Sequence, residues 1–309
     1  MTRDESTAPG IAVPALETRA TLIDGIVGWG RRLVPDRERA ERLAADLLSA
    51  TAATQDRGHG TPLTERTLRD VEAVCHRTAR HLTLELRARA EPDVDVIGWP
   101  TVPPHVVQRR GGFISRVKRF DNGCGFLRID GFDDITFAAD YVLGAFAVLR
   151  GVDGLIVDLR RNGGGAISTL TLLAEFVLGT GIEQLCTVGY RDRPDRQWWT
   201  SGVLGRAHLP PDLRVAVLIG SGTYSSGEAL AYHLHTRGRV RLFGQRTPGA
   251  ADHVTPVRVT PSVVALIPEA TPTDVVSGTN WEGAGVVPDV ICPQDQTESV
   301  AMAWLADPG

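Results

Sequence analysis

Two apolar runs, each followed by a polar loop and then by a helical pattern, constrain the fold of this chain most strongly. The first run spans 154–160 and precedes a helix predicted over 166–178. The second run spans 215–219 and precedes a helix predicted over 225–237. Strands that alternate with helices in this way form parallel βαβ units, and the chemistry of such folds collects at the carboxyl ends of the strands. The sequence therefore predicts an α/β fold with its site at these two loops.

The loop after the first run contains three consecutive glycines, Gly163, Gly164 and Gly165. Glycine permits unusual dihedrals and leaves backbone N–H groups exposed, and two such groups can hold an oxyanion. A flexible turn at a helix start explains the same glycines. The loop is neither a GxGxxG fingerprint nor a Walker loop, because the other residues of both motifs are missing.

The loop after the second run places Ser225 at the start of a helix. Free N–H groups and the helix dipole favour negative charge there, which suits a nucleophile whose tetrahedral intermediate is anionic. Ser225 and Glu228 also have the spacing of a capping box, which requires no catalysis. Both interpretations remain open on spacing alone. The loop is not GxSxG, so an α/β-hydrolase elbow is disfavoured.

The remaining pattern predicts further elements on both sides of these loops. Apolar spacing over 16–53 predicts two helices divided at Pro35, and Thr64 is expected to cap a third helix that runs to about residue 79. Alternation over 81–86 predicts a strand. Strands are also predicted over 124–130, 239–244, 254–259 and 263–267, with a helix over 138–150.

These elements suggest four segments. We expect a disordered tail over 1–15, a helical N-terminal domain over 16–95, an α/β catalytic core over 106–295 and a C-terminal tail over 296–309. A proline-rich linker over 91–104 separates the two central parts.

Charge and composition exclude several classes of function. The net charge is −4, so nucleic acid is not an expected partner. Lys118 is the only lysine beside many arginines. The four cysteines form no CxxC pair, and we expect no metal and no cofactor. The sequence shows neither a secretory leader nor a run of about eighteen apolar residues, so it is expected to be cytoplasmic and to span no membrane.

Four motifs in register resemble the peptidases that include tail-specific (C-terminal processing) protease and tricorn protease, over 154–165, 223–234, 244–249 and 278–289. The resemblance covers roughly residues 16–295 and is nearest to bacterial homologues of interphotoreceptor retinoid-binding protein. It implies a crotonase/ClpP-like ββα core with a small helical N-terminal domain. It also implies Ser225 as the nucleophile, and an oxyanion hole formed by Gly164 or Gly165 together with the N–H of Ser226.

The general base is where the chain departs from the tail-specific proteases. Their lysine position is Ala250 here, and arginine cannot replace a lysine base because it does not lose its proton. The tricorn-type alternative implies His81 as the base and Glu282 as the acid that orients it, although Arg80 stands where the related sites have a small residue or an acid-Gly pair. His253 is the alternative base.

Three functions remain open. The first is a serine-type peptidase that cleaves peptides without a cofactor. The second is a non-proteolytic member that binds an apolar small molecule or serves as an enzyme of secondary metabolism. The third is a crotonase-like acyl-CoA enzyme, which would not need Ser225. A homo-oligomer is compatible with each of them.

Overall fold

The computed structural model describes residues 17–53, 63–87, 96–179, 181–204 and 208–307. Its helices are α1 (Arg19–Leu33), α2 (Arg37–Ala53), α3 (Glu65–Cys75), α4 (Pro104–Arg109), α5 (Ile135–Val148), α6 (Ile167–Leu178), α7 (Ser226–Thr236) and α8 (Thr297–Ala306). Its strands are β1 (Thr83–Leu86), β2 (Ile114–Arg119), β3 (Cys124–Ile129), β4 (Gly154–Asp158), β5 (Gln184–Tyr190), β6 (Arg196–Trp199), β7 (Arg214–Ile219), β8 (Arg241–Gly244), β9 (His253–Thr260), β10 (Val263–Asp274) and β11 (Val290–Ile291). The mixed α/β fold predicted from the sequence is confirmed.

A six-stranded sheet forms the centre, in the order β11-β8-β7-β4-β3-β2. All its neighbouring pairs are parallel except β2 with β3. Strands β4 and β7 bury both faces, because Leu155 and Val217 join the core under α5, α6 and α7 while Ile156 and Leu218 face the opposite way. Burial on both faces is the reason these strands appear in the sequence as continuous apolar runs rather than alternating ones.

Helix α8 covers the second face of this sheet. Ala301 in α8 is fully buried against Phe126, Ile156 and Phe243. The prediction of a C-terminal tail over 296–309 is therefore wrong for 297–306, which form a packed helix.

A second, five-stranded antiparallel sheet carries the N-terminal helices. Its order is β1-β10-β5-β6, and β9 also pairs with β10. Helices α1, α2 and α3 share one apolar core with Val257, Val263 and Ile267 of this sheet. The expected boundary between 95 and 106 consequently does not separate two cores, since the N-terminal region is built onto strands from the C-terminal half.

The segment that leads to β1 differs from its prediction. Helix α3 ends at Cys75, and turns closed by the N–H of Ala79 to Cys75 and the N–H of Leu82 to Ala79 follow it. Strand β1 therefore begins at Thr83, and His81 lies in the turn rather than in a strand as predicted. The expected tail over 1–15 lies outside the described residues, as does the first part of the expected linker. No helix within the described ranges is long and apolar enough to cross a membrane.

Candidate active site

The two predicted loops meet because β4 and β7 are neighbours in register. Val157 pairs with Val217 and Asp158 with Leu218, so both strands end at the same edge of the sheet. The loops then bind each other directly. The N–H of Tyr224 donates to the carbonyl of Asn162 at 2.8 Å, which fixes the residue before Ser225 against the glycine loop.

Ser225 occupies a strained turn between β7 and α7. Its φ and ψ are 53° and −122°, a region that a residue with a side chain rarely adopts, at a cost of roughly 1–3 kcal/mol. The N-caps Thr18 and Thr64 have ordinary extended backbones, with φ of −122° and −130°. Capping alone therefore does not require the conformation of Ser225. A strained strand-to-helix turn is the geometry by which α/β-hydrolases expose their nucleophilic serine.

The carboxylate of Glu228 holds this turn in place. Its oxygens accept hydrogen bonds from the N–H of Ser225 at 2.9 Å, from Oγ1 of Thr247 at 2.5 Å and from the N–H groups of Gly249 and Ala250 at 2.7 and 2.9 Å. The N–H of Glu228 approaches Oγ of Ser225 without a well-formed hydrogen bond. The capping box is thus present, and it also ties the serine turn to the segment 247–250. Burial raises the pKa of Glu228 despite these donors.

The glycine loop lies directly against Ser225. A Cβ on Gly164, whose φ is 93°, would lie 2.8 Å from Cβ of Ser225 and 3.1 Å from the nitrogen of Ser226. The N–H of Gly164 donates to Oδ1 of Asn162 at 2.9 Å and is not available for a ligand. The N–H groups of Gly165 and Ser226 make no hydrogen bond within the described chain. Of the predicted oxyanion donors, these two are the free ones.

The hydroxyl of Ser226 links the two residues that carry the free N–H groups, since its Oγ donates to the carbonyl of Gly165 at 2.9 Å. A second bond, from the N–H of Ala166 to the carbonyl of Phe132 at 2.8 Å, holds the glycine loop against Phe132. Gly165 itself has a φ of 130° and passes so close to Phe132 that a Cβ would lie 2.1 Å from its carbonyl oxygen. Only glycine fits this position.

His81 is buried and lies beside the residue that precedes Ser225. Its ring meets the ring of Tyr224 edge to face at 5.1 Å between centroids. Its Nδ1 contacts the carbonyl oxygen of Asp252 at 2.5 Å. A carbonyl can only accept, so Nδ1 carries the proton and Nε2 of the neutral ring is left as an acceptor. Burial lowers the pKa of His81 below its usual 6.5, although the Asp252 carbonyl and carboxylate raise it.

Glu282 makes no hydrogen bond to the ring of His81 within the described residues. Its Oε1 accepts from the N–H of Arg80 at 3.2 Å, and its Oε2 accepts from the N–H groups of Ala251 and Asp252 at 2.7 and 3.1 Å. Glu282 therefore holds the backbone on both sides of the histidine rather than its ring. Burial, with the nearby charge of Asp252, raises the pKa of Glu282 to about 7.

Arg39 of α2 joins the N-terminal helices to this network. Its guanidinium pairs with Asp252 at 2.5 Å and with Glu282 at 3.0 Å, and its Nε donates to the carbonyl of Thr78 at 2.7 Å. The side chain of Asp252 is 0% exposed and that of Arg39 only 13%. Loss of the Arg39 cation would leave the buried carboxylate of Asp252 without a compensating charge, which would destabilise the fold.

Family membership follows from the same segments. The sequence profile of peptidase family S41 matches residues 123–292, which is more than half of the chain. The chain belongs to peptidase family S41. This matched range contains Ser225, the glycine loop and Glu282, whereas His81 and Arg39 lie before it.

Solved structures agree with this assignment at the level of the fold. The S41 chain is similar to a candidate peptidase from Parabacteroides merdae ATCC 43184, at 15% identity and a TM-score of 0.66 over 95% of this chain and 98% of that one. It is similar to a lipoprotein from Streptococcus agalactiae, at 14% identity and a TM-score of 0.57 over 96% and 99%. It is also similar to tricorn protease, at 14% identity and a TM-score of 0.57 over 94% of this chain and 37% of that one.

The S41 chain offers no lysine where a lysine base would stand. Ala250 is fully buried, and its N–H donates to Glu228. Lys118 lies on the edge strand β2, where its ammonium sits 4.2 Å from the centroid of the Phe120 ring.

His253, the alternative base, lies near His81 but in a different setting. Its ring stacks on Trp198 at 4.5 Å between centroids and makes no hydrogen bond within the described residues. Burial and the charge of His81 lower its pKa to about 4. No hydrogen bond fixes a tautomer of His253, in contrast to His81.

Only some of the residues that support the site leave a signal in the sequence. Glu228 was visible as half of a capping box, but its contacts with 247–250 were not. The sequence cannot indicate that the carbonyl of Asp252 accepts from His81, because every residue has a backbone carbonyl. Arg39 and Tyr224 act through contacts across more than 140 residues, which spacing cannot reveal.

Proposed function

We propose that this S41 chain is a serine-type peptidase in which Ser225 is the nucleophile and His81 the general base. The observation that carries the proposal is the hydrogen bond from Nδ1 of His81 to the Asp252 carbonyl, because it leaves Nε2 as the proton acceptor next to the serine turn. The strained backbone of Ser225 and the two free N–H groups beside it support the same assignment.

The reaction follows the acyl-transfer scheme. Nε2 of His81 takes the proton of Ser225 as Oγ attacks the scissile carbonyl carbon, and the N–H groups of Gly165 and Ser226 stabilise the resulting oxyanion. The imidazolium then gives its proton to the leaving amine as the peptide C–N bond breaks. A water molecule, deprotonated in the same way, hydrolyses the acyl-enzyme and restores Ser225.

The described residues include no hydrogen bond between His81 and Ser225. Catalytic hydrogen bonds often tighten only when substrate is bound. Tyr224 couples the two, since it precedes Ser225, packs on the His81 ring and donates from its hydroxyl to the carbonyl of Arg80 at 3.1 Å. Glu282 and Arg39 then act as positioning residues for the histidine turn.

The apolar-ligand alternative has less support. The cavity beside the base is lined by arginines rather than by apolar side chains, which suits a charged peptide better than an apolar small molecule. The acyl-CoA alternative leaves the strain at Ser225 unexplained, because an enzyme of that type needs no nucleophile there.

A fluorophosphonate probe tests the proposal. We expect labelling of the wild-type protein at Ser225, no labelling of Ser225→Ala, and strongly slowed labelling of His81→Gln. Ser221→Ala, which changes an exposed serine in the same loop, is the matched control and should label normally. Intact-mass spectrometry and peptide mapping locate the adduct. Equal labelling of wild type and Ser225→Ala would contradict the proposal.

A further inference from the structure

A buried cluster of polar side chains joins the C-terminal end of α7 to the loop that follows β10. Nδ1 of His233 and Nη1 of Arg237 each donate to Oδ2 of Asp274, the last residue of β10, at 2.8 Å. The side chains of His233 and Asp274 are 0% exposed. Helix α7 begins directly after Ser225, so the cluster lies at the end of this helix opposite to the proposed nucleophile.

Asp274 also shapes the loop 274–282. Its Oδ1 accepts from the N–H groups of Val276 and Ser277 at 3.0 and 2.8 Å, and its own N–H donates to the carbonyl of Thr279 at 2.9 Å. Burial opposes the ionised form of Asp274, but the hydrogen bonds from α7 hold its pKa well below the usual range. One oxygen of a charged carboxylate is therefore bound to α7 and the other to the loop.

The far end of this loop carries Glu282, which holds the backbone around His81. The side chain of Asn280 connects Glu282 to β10, since its Nδ2 donates to a β10 carbonyl at 2.8 Å and its Oδ1 accepts from the N–H of Glu282 at 2.9 Å. Glu282 in turn accepts from the N–H groups of Arg80 and Asp252. A continuous set of backbone segments and hydrogen bonds thus runs from α7 to the proposed base.

His233 also contacts Trp281, the residue before Glu282. The two rings meet edge to face, with 5.8 Å between centroids, and Trp281 is buried. Nε2 of His233 and Nε1 of Trp281 have no hydrogen-bond partner among the described residues. Unsatisfied buried polar atoms are rare in folded proteins and cost stability, so an apolar residue would serve a purely structural contact better. The hydrogen bond from Nδ1 to Asp274 therefore explains the histidine best.

We propose that His233 is a positioning residue for the reaction: by holding Asp274, it sets the place of Glu282 and, through Glu282, the orientation of the His81 ring. The inference rests on the proposed function, because it adds a residue to the same site. Helix α7 has 11 residues and is about 16 Å long. It would connect nucleophile and base as one rigid element, since Ser225 precedes its first residue and the anchor of the base lies in its last turn.

The ring nitrogens of His81 test the inference without requiring turnover. In protein labelled with ¹³C and ¹⁵N at histidine, the NMR signals of this ring are assigned by their loss in His81→Gln, and the nitrogen shifts report which nitrogen carries the proton. We expect the wild-type ring to be protonated at Nδ1, because that proton is donated to the Asp252 carbonyl. In His233→Leu we expect a mixture of the two tautomers, because the Asp252 backbone is no longer held in place.

The same variant should show a defined change in kinetics. We expect kcat for a peptide substrate to fall about 10- to 100-fold with less than about a twofold change in KM, because the base is displaced while the binding surface remains. His233→Asn keeps an amide N–H close to the position of Nδ1. It should restore most of the wild-type tautomer and rate.

Two control variants separate this role from ordinary stabilisation. His235→Gln replaces a partly exposed histidine of the same helix that bonds to Asp289, and it should leave the His81 tautomer unchanged. Val142→Ala shortens a buried side chain of α5, so it should lower the melting temperature and again leave His81 unchanged.

Three outcomes would overturn the inference: a wild-type His81 ring without the Nδ1 proton, an unchanged tautomer in folded His233→Leu, or an equal tautomer change in Val142→Ala. Should His233→Leu not fold, Arg237→Gln, which removes another donor to Asp274, takes its place with the same expected and contrary results. Failure of the proposed peptidase activity appears separately, as absence of fluorophosphonate labelling in the wild type, and does not affect the NMR signals of His81.

Discussion

The carbonyl oxygen of Asp252 accepts the Nδ1 proton of His81, 171 residues earlier in the chain. In serine hydrolase triads a carboxylate fixes the tautomer and the ring orientation of the histidine, whereas a backbone carbonyl fixes them for His81. The acids of this site act one step further away, with Glu282 holding the N–H of Asp252 and Arg39 neutralising its side chain.

Substituting each of the two histidines separately shows which of them is the general base. We expect His81→Gln to reduce kcat/KM for a peptide substrate by roughly 10³-fold or more, because it removes the proton acceptor. His253→Gln should lower it only a few-fold, since the His253 ring stacks on Trp198 and makes no hydrogen bond among the residues that the structure describes. Steady-state kinetics of both variants make the comparison, and the reverse order would assign the base to His253.

The pH dependence of kcat/KM reports the state of His81. Burial lowers its pKa, so the neutral, active ring persists below the usual 6.5, and protonation removes the acceptor at Nε2. We therefore expect constant activity as the pH falls from 8 to 6.5 and a decline only below that value. The groups that face His81 are the Asp252 carbonyl, Tyr224 and His253, whose pKa is about 4. A decline centred near pH 7 would instead point to Glu282.

Gly164→Ala tests the contact between the glycine loop and the serine turn. The new methyl group would meet Cβ of Ser225 at 2.8 Å and would strain a backbone with φ of 93°. We expect kcat/KM to fall about 100-fold, as small displacements of a reacting group have effects of this size. Gly163→Ala is the control, because a Cβ there has no neighbour within 4 Å, and it should retain most of the activity. Similar loss in both variants would argue against a specific contact.

Arg39→Met tests the link between the N-terminal helices and the site. It leaves the buried carboxylate of Asp252 without its cation, for which we expect a loss of about 3–5 kcal/mol in the free energy of unfolding, together with reduced kcat. Urea denaturation measures the first quantity. Arg31→Met removes an exposed pair with Glu41 and should leave the denaturation midpoint nearly unchanged. Equal stability of the two variants would refute the role of Arg39.

Local sequence signals predicted the parts of the fold that depend on neighbouring residues. The runs at β4 and β7 and the glycine loop were visible because double burial and special dihedrals restrict residue type directly. The helix over 297–306 is not evident from the sequence because its apolar residues are not confined to one helix face, and packing on a distant sheet face stabilises it. The alternation of 83–86 extends by chance into the preceding turn, so the sequence pattern predicts a strand at His81.

The roles within the site were less predictable. The sequence indicated Ser225 and the glycine loop, but not which glycine N–H is free, since that depends on the side chain of Asn162 reaching Gly164. It suggested Glu282 as a partner of the histidine, whereas the structure interposes the backbone of Asp252. Contacts that run through the backbone of a third residue have no characteristic spacing in the sequence, so a sequence pattern cannot predict them.

Arg80 and Tyr224, the neighbours of the proposed base and nucleophile, meet across 144 residues of chain. Helices α1 to α3 pack on β9 and β10, so the position of the proposed base depends on a sheet built from strands of the C-terminal half. A fragment that lacks either end of the chain would therefore lose the contact between His81 and Tyr224.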